Sequence, residues 1–152
     1  MFSAFLRTAV IAGFSLTLPL AFAADAGRVK TSKGAVTIER AGQRLPAAVG
    51  MTVQEKDVVS TGADGSVGIS FTDNSMLSAG PNSVLILDKY AFDAASGKGA
   101  MEANLARGTL AAVSGKMVKS APESMKIRTP AAIMGVRGTE FVVKVEDPAA
   151  VR

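Results

Sequence analysis

Past Ala24, apolar side chains recur in short alternating runs, and the runs are separated by glycine, asparagine, aspartate and proline turns. A chain with that period presents a continuous apolar stripe only when it is extended, so it buries its hydrophobic side as a sheet and not as packed helices. The runs 35–40, 52–60, 66–72, 76–79, 84–88, 108–113, 125–129 and 141–145 are the expected strands. In the third of these, Val67, Ile69 and Phe71 alternate with Ser66, Gly68 and Ser70, which puts three apolar side chains on one face and small ones on the other. The punctuation between runs is turn chemistry: Ala41-Gly42-Gln43, Thr61-Gly62-Ala63-Asp64-Gly65, Thr72-Asp73-Asn74-Ser75 and Gly80-Pro81-Asn82-Ser83. Turns spaced about 8 to 12 residues apart point to an all-β sandwich, barrel or solenoid of short strands and tight turns, not to an α/β domain. The stretch 100–106 consists of good helix formers but follows the loop Ser96-Gly97-Lys98-Gly99, and is left open between a helix and a strand.

An internal echo bears on the choice among β architectures. Arg107-Gly108-Thr109-Leu110-Ala111-Ala112-Val113 resembles Arg137-Gly138-Thr139-Glu140-Phe141-Val142-Val143 at an offset of 30 residues, which would mark stacked coils of a β-solenoid. The front of the chain reads differently. Arg7, the apolar run 8–20 and Ala21-Phe22-Ala23 have the three parts of a cleavable secretory signal, residues 1–23, and the apolar run is too short to span a bilayer. Cleavage after Ala23 leaves 129 residues with 16 basic and 13 acidic side chains, expected as one domain, 24–152, with no membrane span. That mild positive balance gives no reason to expect nucleic acid as a partner.

The chain contains no histidine and no cysteine, which removes the commonest general base, the strongest nucleophile, disulfides and most transition-metal ligands together. No Gly-x-Ser-x-Gly elbow and no phosphate loop is present. Asp57, Asp64, Asp73 and Asp88 sit at strand ends or turns, where aspartate caps backbone, and none lies in a spaced calcium loop. The expectation is a protein without catalytic residues, metal or cofactor. Charge is uneven: Arg107, Lys116, Lys119, Lys126, Arg128 and Arg137 face only Glu123 between residues 107 and 137. Alternation sets Lys126 and Arg128 on one face of their strand with Met125 and Ile127 opposite. Arg107, Lys126, Arg128 and Arg137 are the candidate binding residues for an acidic partner or an anionic envelope polymer, weighed against an ordinary solvated face.

Several ordered motifs carry a resemblance. The front blocks are 50–57, Val58-Val59-Ser60-Thr61-Gly62-Ala63-Asp64-Gly65, Phe71-Thr72-Asp73-Asn74-Ser75 and Gly80-Pro81-Asn82-Ser83; the back block runs from Arg128-Thr129-Pro130-Ala131-Ala132 through Ile133-Met134-Gly135-Val136-Arg137-Gly138-Thr139-Glu140-Phe141. Together, over about 33–145, they resemble the FecR domain. The resemblance implies an extracytoplasmic β domain with a β-helical or solenoid-like core, of the kind found in regulators that pass the state of an outer-membrane receptor to an inner-membrane anti-sigma segment. It implies no enzyme. With a cleavable signal in place of a cytoplasmic segment, the chain looks like a stand-alone periplasmic FecR-domain protein, a protein-interaction or signalling module whose partner is an envelope receptor or regulator, with envelope or iron-uptake signalling as its setting. The alternative is a protein that binds peptidoglycan or lipopolysaccharide. Within the back block, Thr129, Pro130, Gly135, Arg137, Gly138, Thr139 and Phe141 read as structural: Thr129-Pro130 as a rigid extended lead into the last strands, Gly138 as a turn, Thr139 and Phe141 as a strand start, and Arg137 as a cap or a partner for Glu140 or Glu102.

Overall fold

The computed structural model describes residues 24–138 and 140–147; the signal expected at 1–23, and Thr139, lie outside the described residues. Twelve strands and one helix follow in order: β1 Asp25–Lys33, β2 Val36–Arg40, β3 Gln43–Pro46, β4 Thr52–Gln54, β5 Val58–Thr61, β6 Ser66–Phe71, β7 Met76–Ala79, β8 Val84–Phe92, β9 Gly99–Val113, α1 Lys116–Ser120, β10 Met125–Arg128, β11 Ile133–Gly135 and β12 Glu140–Val145. The all-β expectation holds. Hydrogen-bonded neighbours run β3-β2-β5-β8-β9-β7-β6-β1-β4, with β10 and β12 also on β9 and β11 on β10, and the whole curls into a half-barrel.

That topology is neither the solenoid nor the sandwich; of the three architectures the turn spacing allowed, the curled sheet comes nearest to the barrel. A solenoid stacks parallel coils, whereas every ladder among the described residues is antiparallel except β10 on β9. A sandwich needs two separate layers, whereas β9 is continuous through both halves of this sheet. The echoed segments show why the repeat misled. They lie side by side, but antiparallel, with Phe141 opposite Ala112 and Val143 opposite Leu110. What they share is a local device: Gly108 and Gly138 both have positive φ, +95° and +120°. At Gly108 the device lets β9 pass from β8 and β10 to β7 and β12, and a Cβ there would overlap the Ser83 backbone.

The helix formers of 100–106 became strand because β9 is paired on both sides, to β8 and to β10, and its alternate residues Met101, Ala103 and Leu105 are each 0% exposed. Burial with period two outweighs local helix propensity. The expected strand 52–60 is instead two strands, β4 and β5, broken at Lys56, whose φ is +73°. Missed altogether were β1, whose sequence Asp-Ala-Gly-Arg-Val-Lys-Thr-Ser-Lys is mostly polar, and the short β3, β11 and α1. One core runs through the half-barrel, with Ile38, Val59, Leu87 and Ile127 from one half and Val29, Ile69, Leu77 and Leu110 from the other, and Met117 and Val118 of α1 packed into the same cluster.

Candidate functional site

Two turn aspartates are fully buried and fully engaged. Asp57 accepts from Arg40 Nε (2.8 Å to Oδ1), Arg40 Nη2 (2.7 Å to Oδ2) and the Gln54 N–H (2.8 Å). That hydrogen bond holds the Arg40 guanidinium above its ordinary pKa, with burial opposing it. Asp73 accepts from the Ser75 hydroxyl at 2.6 Å and the Ser75 N–H at 3.0 Å, while Ser75 Oγ accepts the Gly115 N–H at 3.0 Å. The Tyr90 hydroxyl meets Thr72 Oγ1 at 2.8 Å and accepts the Asp73 N–H at 3.1 Å. Both knots tie turns to distant strands, as backbone-capping aspartates do. Asp64 plays the same part more loosely, accepting the Ala35 N–H at 3.3 Å.

The candidate basic residues fall into two places. Lys126 and Arg128 project from the exposed face of β10, with Met125 and Ile127 at 0% exposure beneath, as alternation requires. Arg107 stands apart, beyond the end of the β9–β10 ladder, which closes at Arg128 opposite Asn104. Three of the four carry acidic partners: Arg107 with Asp147 at 3.5 Å, Arg128 with Glu102 at 3.3 Å, and Arg137 with Glu123 at 3.5 Å. Glu102 thus takes Arg128, and Arg137 finds Glu123 and neither acid expected for it. Such exposed pairs contribute little stability but cancel much of the local positive field.

The back block builds a different surface. β10 and β11 form a hairpin whose turn is Thr129-Pro130-Ala131-Ala132: the Thr129 N–H donates to the Ala132 carbonyl at 2.8 Å, and Thr129 Oγ1 accepts the Ala132 N–H at 3.1 Å. Pro130 therefore occupies the second position of a reversal, where its fixed φ fits, and is not part of an extended lead. The chain then returns past Val136, 3% exposed, whose N–H donates to the Met125 carbonyl at 3.0 Å, and turns at Gly138, whose carbonyl accepts the Ser114 hydroxyl at 2.6 Å. Phe141 follows in β12, half-buried against the core. An open apolar cleft of about 620 Å³ lies between α1 and this return, lined by Val118, Ala121, Pro122, Glu123, Arg137 and Gly138. A second hollow of about 300 Å³ shares Pro122, Glu123 and Arg137 and adds Lys126, Ile133 and Gly135.

A family model described as "FecR protein" matches residues 57–152. The chain belongs to the FecR family. No curated protein and no solved structure matches it. The FecR match spans β5 to the end of the chain and so includes both buried aspartates, the β10–β11 hairpin and the cleft, while β1 to β4 precede it. FecR domains are signalling and regulatory domains and not a known enzyme family. Among the described residues no helix is long and apolar enough to cross a membrane.

Sequence reading did not find the cleft. Arg137 and Gly138 form one wall, but the other comes from the five-residue α1 and from 121–123, which show no periodic signal; only Pro122, two residues past the helix end, marks a stop there.

Proposed function

We propose that this FecR-domain protein is an exported periplasmic module that works without catalysis, by binding another envelope protein through the face formed by 121–123 and the β10–β11 hairpin. One observation carries the reading. From Arg128 to Gly138, the stretch on which the family resemblance is most specific, Val136 alone is buried, and Ile133 is 64% exposed. A segment of such defined sequence that contributes so little to the core, and that leaves a large apolar side chain in solvent beside a cleft, has the composition of a contact surface. Of the acids weighed for hydrolysis, Asp57, Asp64 and Asp73 each accept a backbone N–H as caps.

The test is a photo-crosslinking residue at position 133 in intact envelopes, with a control at Val49, which is 66% exposed on the loop between β3 and β4. A single dominant protein captured from 133 and not from 49 is the expected result. The same set captured from both positions would end the proposal. Dependence of that capture on iron starvation separates iron-uptake signalling from other envelope signalling.

A second reading, binding of peptidoglycan or lipopolysaccharide, rests on Lys126 and Arg128 sharing one exposed face. It requires co-sedimentation at low salt that is lost in Lys126→Glu/Arg128→Glu.

A further inference from the structure

β12 is an open edge of the sheet: among the described residues its only ladder is to β9. The phase of that ladder follows from the far side of β9. The Thr109 carbonyl accepts the Gly80 N–H at 3.0 Å and the Thr109 N–H donates to the Ser83 hydroxyl at 3.0 Å, so Thr109 turns its backbone groups toward β7 and the turn after it. Backbone groups alternate along a strand, and Leu110 and Ala112 therefore turn theirs toward β12, where their partners are Val143 and Phe141. It follows that the N–H and C=O of Glu140, Val142 and Lys144 point away from β9, into the open edge. The side chains of these same three residues are exposed on the outer face, Val142 by 64%, while Phe141, Val143 and Val145 pack partly on the core.

We infer that this edge pairs antiparallel with β12 of a second copy of the chain. Opposed residues in such a ladder must both offer free groups, so only registers that bring 140, 142 and 144 to face one another are allowed. With the two-fold axis through Val142, Glu140 of each copy stands opposite Lys144 of the other, Val142 meets Val142, and all three outward-facing pairs form closely spaced hydrogen bonds. Read in reverse, the outer face Glu-Val-Lys is its own complement. A slip of one allowed step in either direction removes both ion pairs, and in one direction sets Glu140 against Glu146. Charges on an edge usually prevent pairing. Here they reject a slipped or unrelated strand and accept the symmetric one. Lys144 already lies 3.6 Å from Glu146, but both are about 70% exposed, and so loose a pair yields readily to a cross-strand one. A six-residue edge buries less than the roughly 1,200 Å² of a stable interface, so the dimer is weak and exchanges with monomer. It uses β12 and not the cleft, although the hairpin of the partner face proposed above shares a hollow with Val143, Lys144 and Val145.

The experiment is sedimentation of the purified protein at up to about 1 mM, with circular dichroism to verify that the variants keep their sheet. E140K and K144E each turn both ion pairs into like-charge pairs and should each weaken the dimer about tenfold or more. An equimolar mixture of the two should associate again, because an edge with two lysines then faces an edge with two glutamates. The double variant E140K/K144E should self-associate like the wild type. A wild type that remains monomeric throughout, a dimer unaffected by the single changes, or a mixture of E140K and K144E that stays apart would each overturn the inference.

Discussion

Replacing Arg40 with methionine would leave the Asp57 carboxylate buried with one hydrogen bond in place of three. The side chain of Arg40 is 28% exposed and that of Asp57 is 0% exposed, so the pair lies at the boundary of the core with its acidic end inside. Arg40 Nη2 also donates to the Thr52 carbonyl at 2.9 Å, and the pair thereby links β2 to β4 and to the turn before β5. Methionine preserves most of the aliphatic packing, so the loss measures the charge. Removing one member of a buried pair costs about 3–5 kcal/mol, and the partial exposure of Arg40 places this case near 3 kcal/mol. Asp57→Asn keeps the shape but turns an amide NH₂ or a weaker acceptor toward the guanidinium, for a loss of about 2 kcal/mol. The double variant Arg40→Met/Asp57→Asn has no unpaired charge, and should fall short of the summed losses by about 1 kcal/mol or more. Urea unfolding at constant slope reads all three values. Strictly additive losses, or a loss below about 1 kcal/mol for Arg40→Met, would refute the account of a buried, mutually dependent pair.

Phe71 is 4% exposed and its ring lies 5.3 Å from that of Tyr90, so Phe71→Ala should cost about 3–5 kcal/mol in unfolding experiments, and Phe71→Leu much less. An unchanged melting temperature for Phe71→Ala would remove that side chain from the core. Tyr90 is the single tyrosine of the chain, and burial, only partly opposed by its hydrogen bond to Thr72, raises its pKa above the ordinary value of 10.0. Because the neutral phenol is favoured in the folded state, stability should decline as pH rises past the unfolded value near 10, and the tyrosinate absorbance should titrate higher in the native protein than in denaturant. Coincident titrations would contradict this. Gly138→Val should lower stability by about 1–3 kcal/mol through backbone strain alone, since φ is +120° and the space around the missing Cβ is open; unaltered unfolding would show that the turn can relax.

The candidate surface was only partly legible beforehand. That Lys126 and Arg128 share a face follows from the two-residue period, and β10 obeys it. The neutralising partners do not follow, because Glu102 and Glu123 reach Arg128 and Arg137 across 26 and 14 residues of sequence. Thr129-Pro130 reads as extended from sequence because a proline restricts the residue before it in the same way at the head of a strand and in a reversal; the Thr129 hydroxyl bonded to Ala132 is what distinguishes the two.

Alternation and turn chemistry by themselves determined that this chain is a β protein, where β7 begins and ends, and which face of β6 and β10 is buried, because these depend on the two-residue period of a single strand. The ordered motifs identified the family. Which strands pair, and in which direction, was decided only by the tertiary structure. An apolar stripe specifies a buried face but not the neighbour that covers it, and the two Arg-Gly-Thr segments satisfy the same local rule whether stacked in parallel or laid antiparallel, as β9 and β12 are.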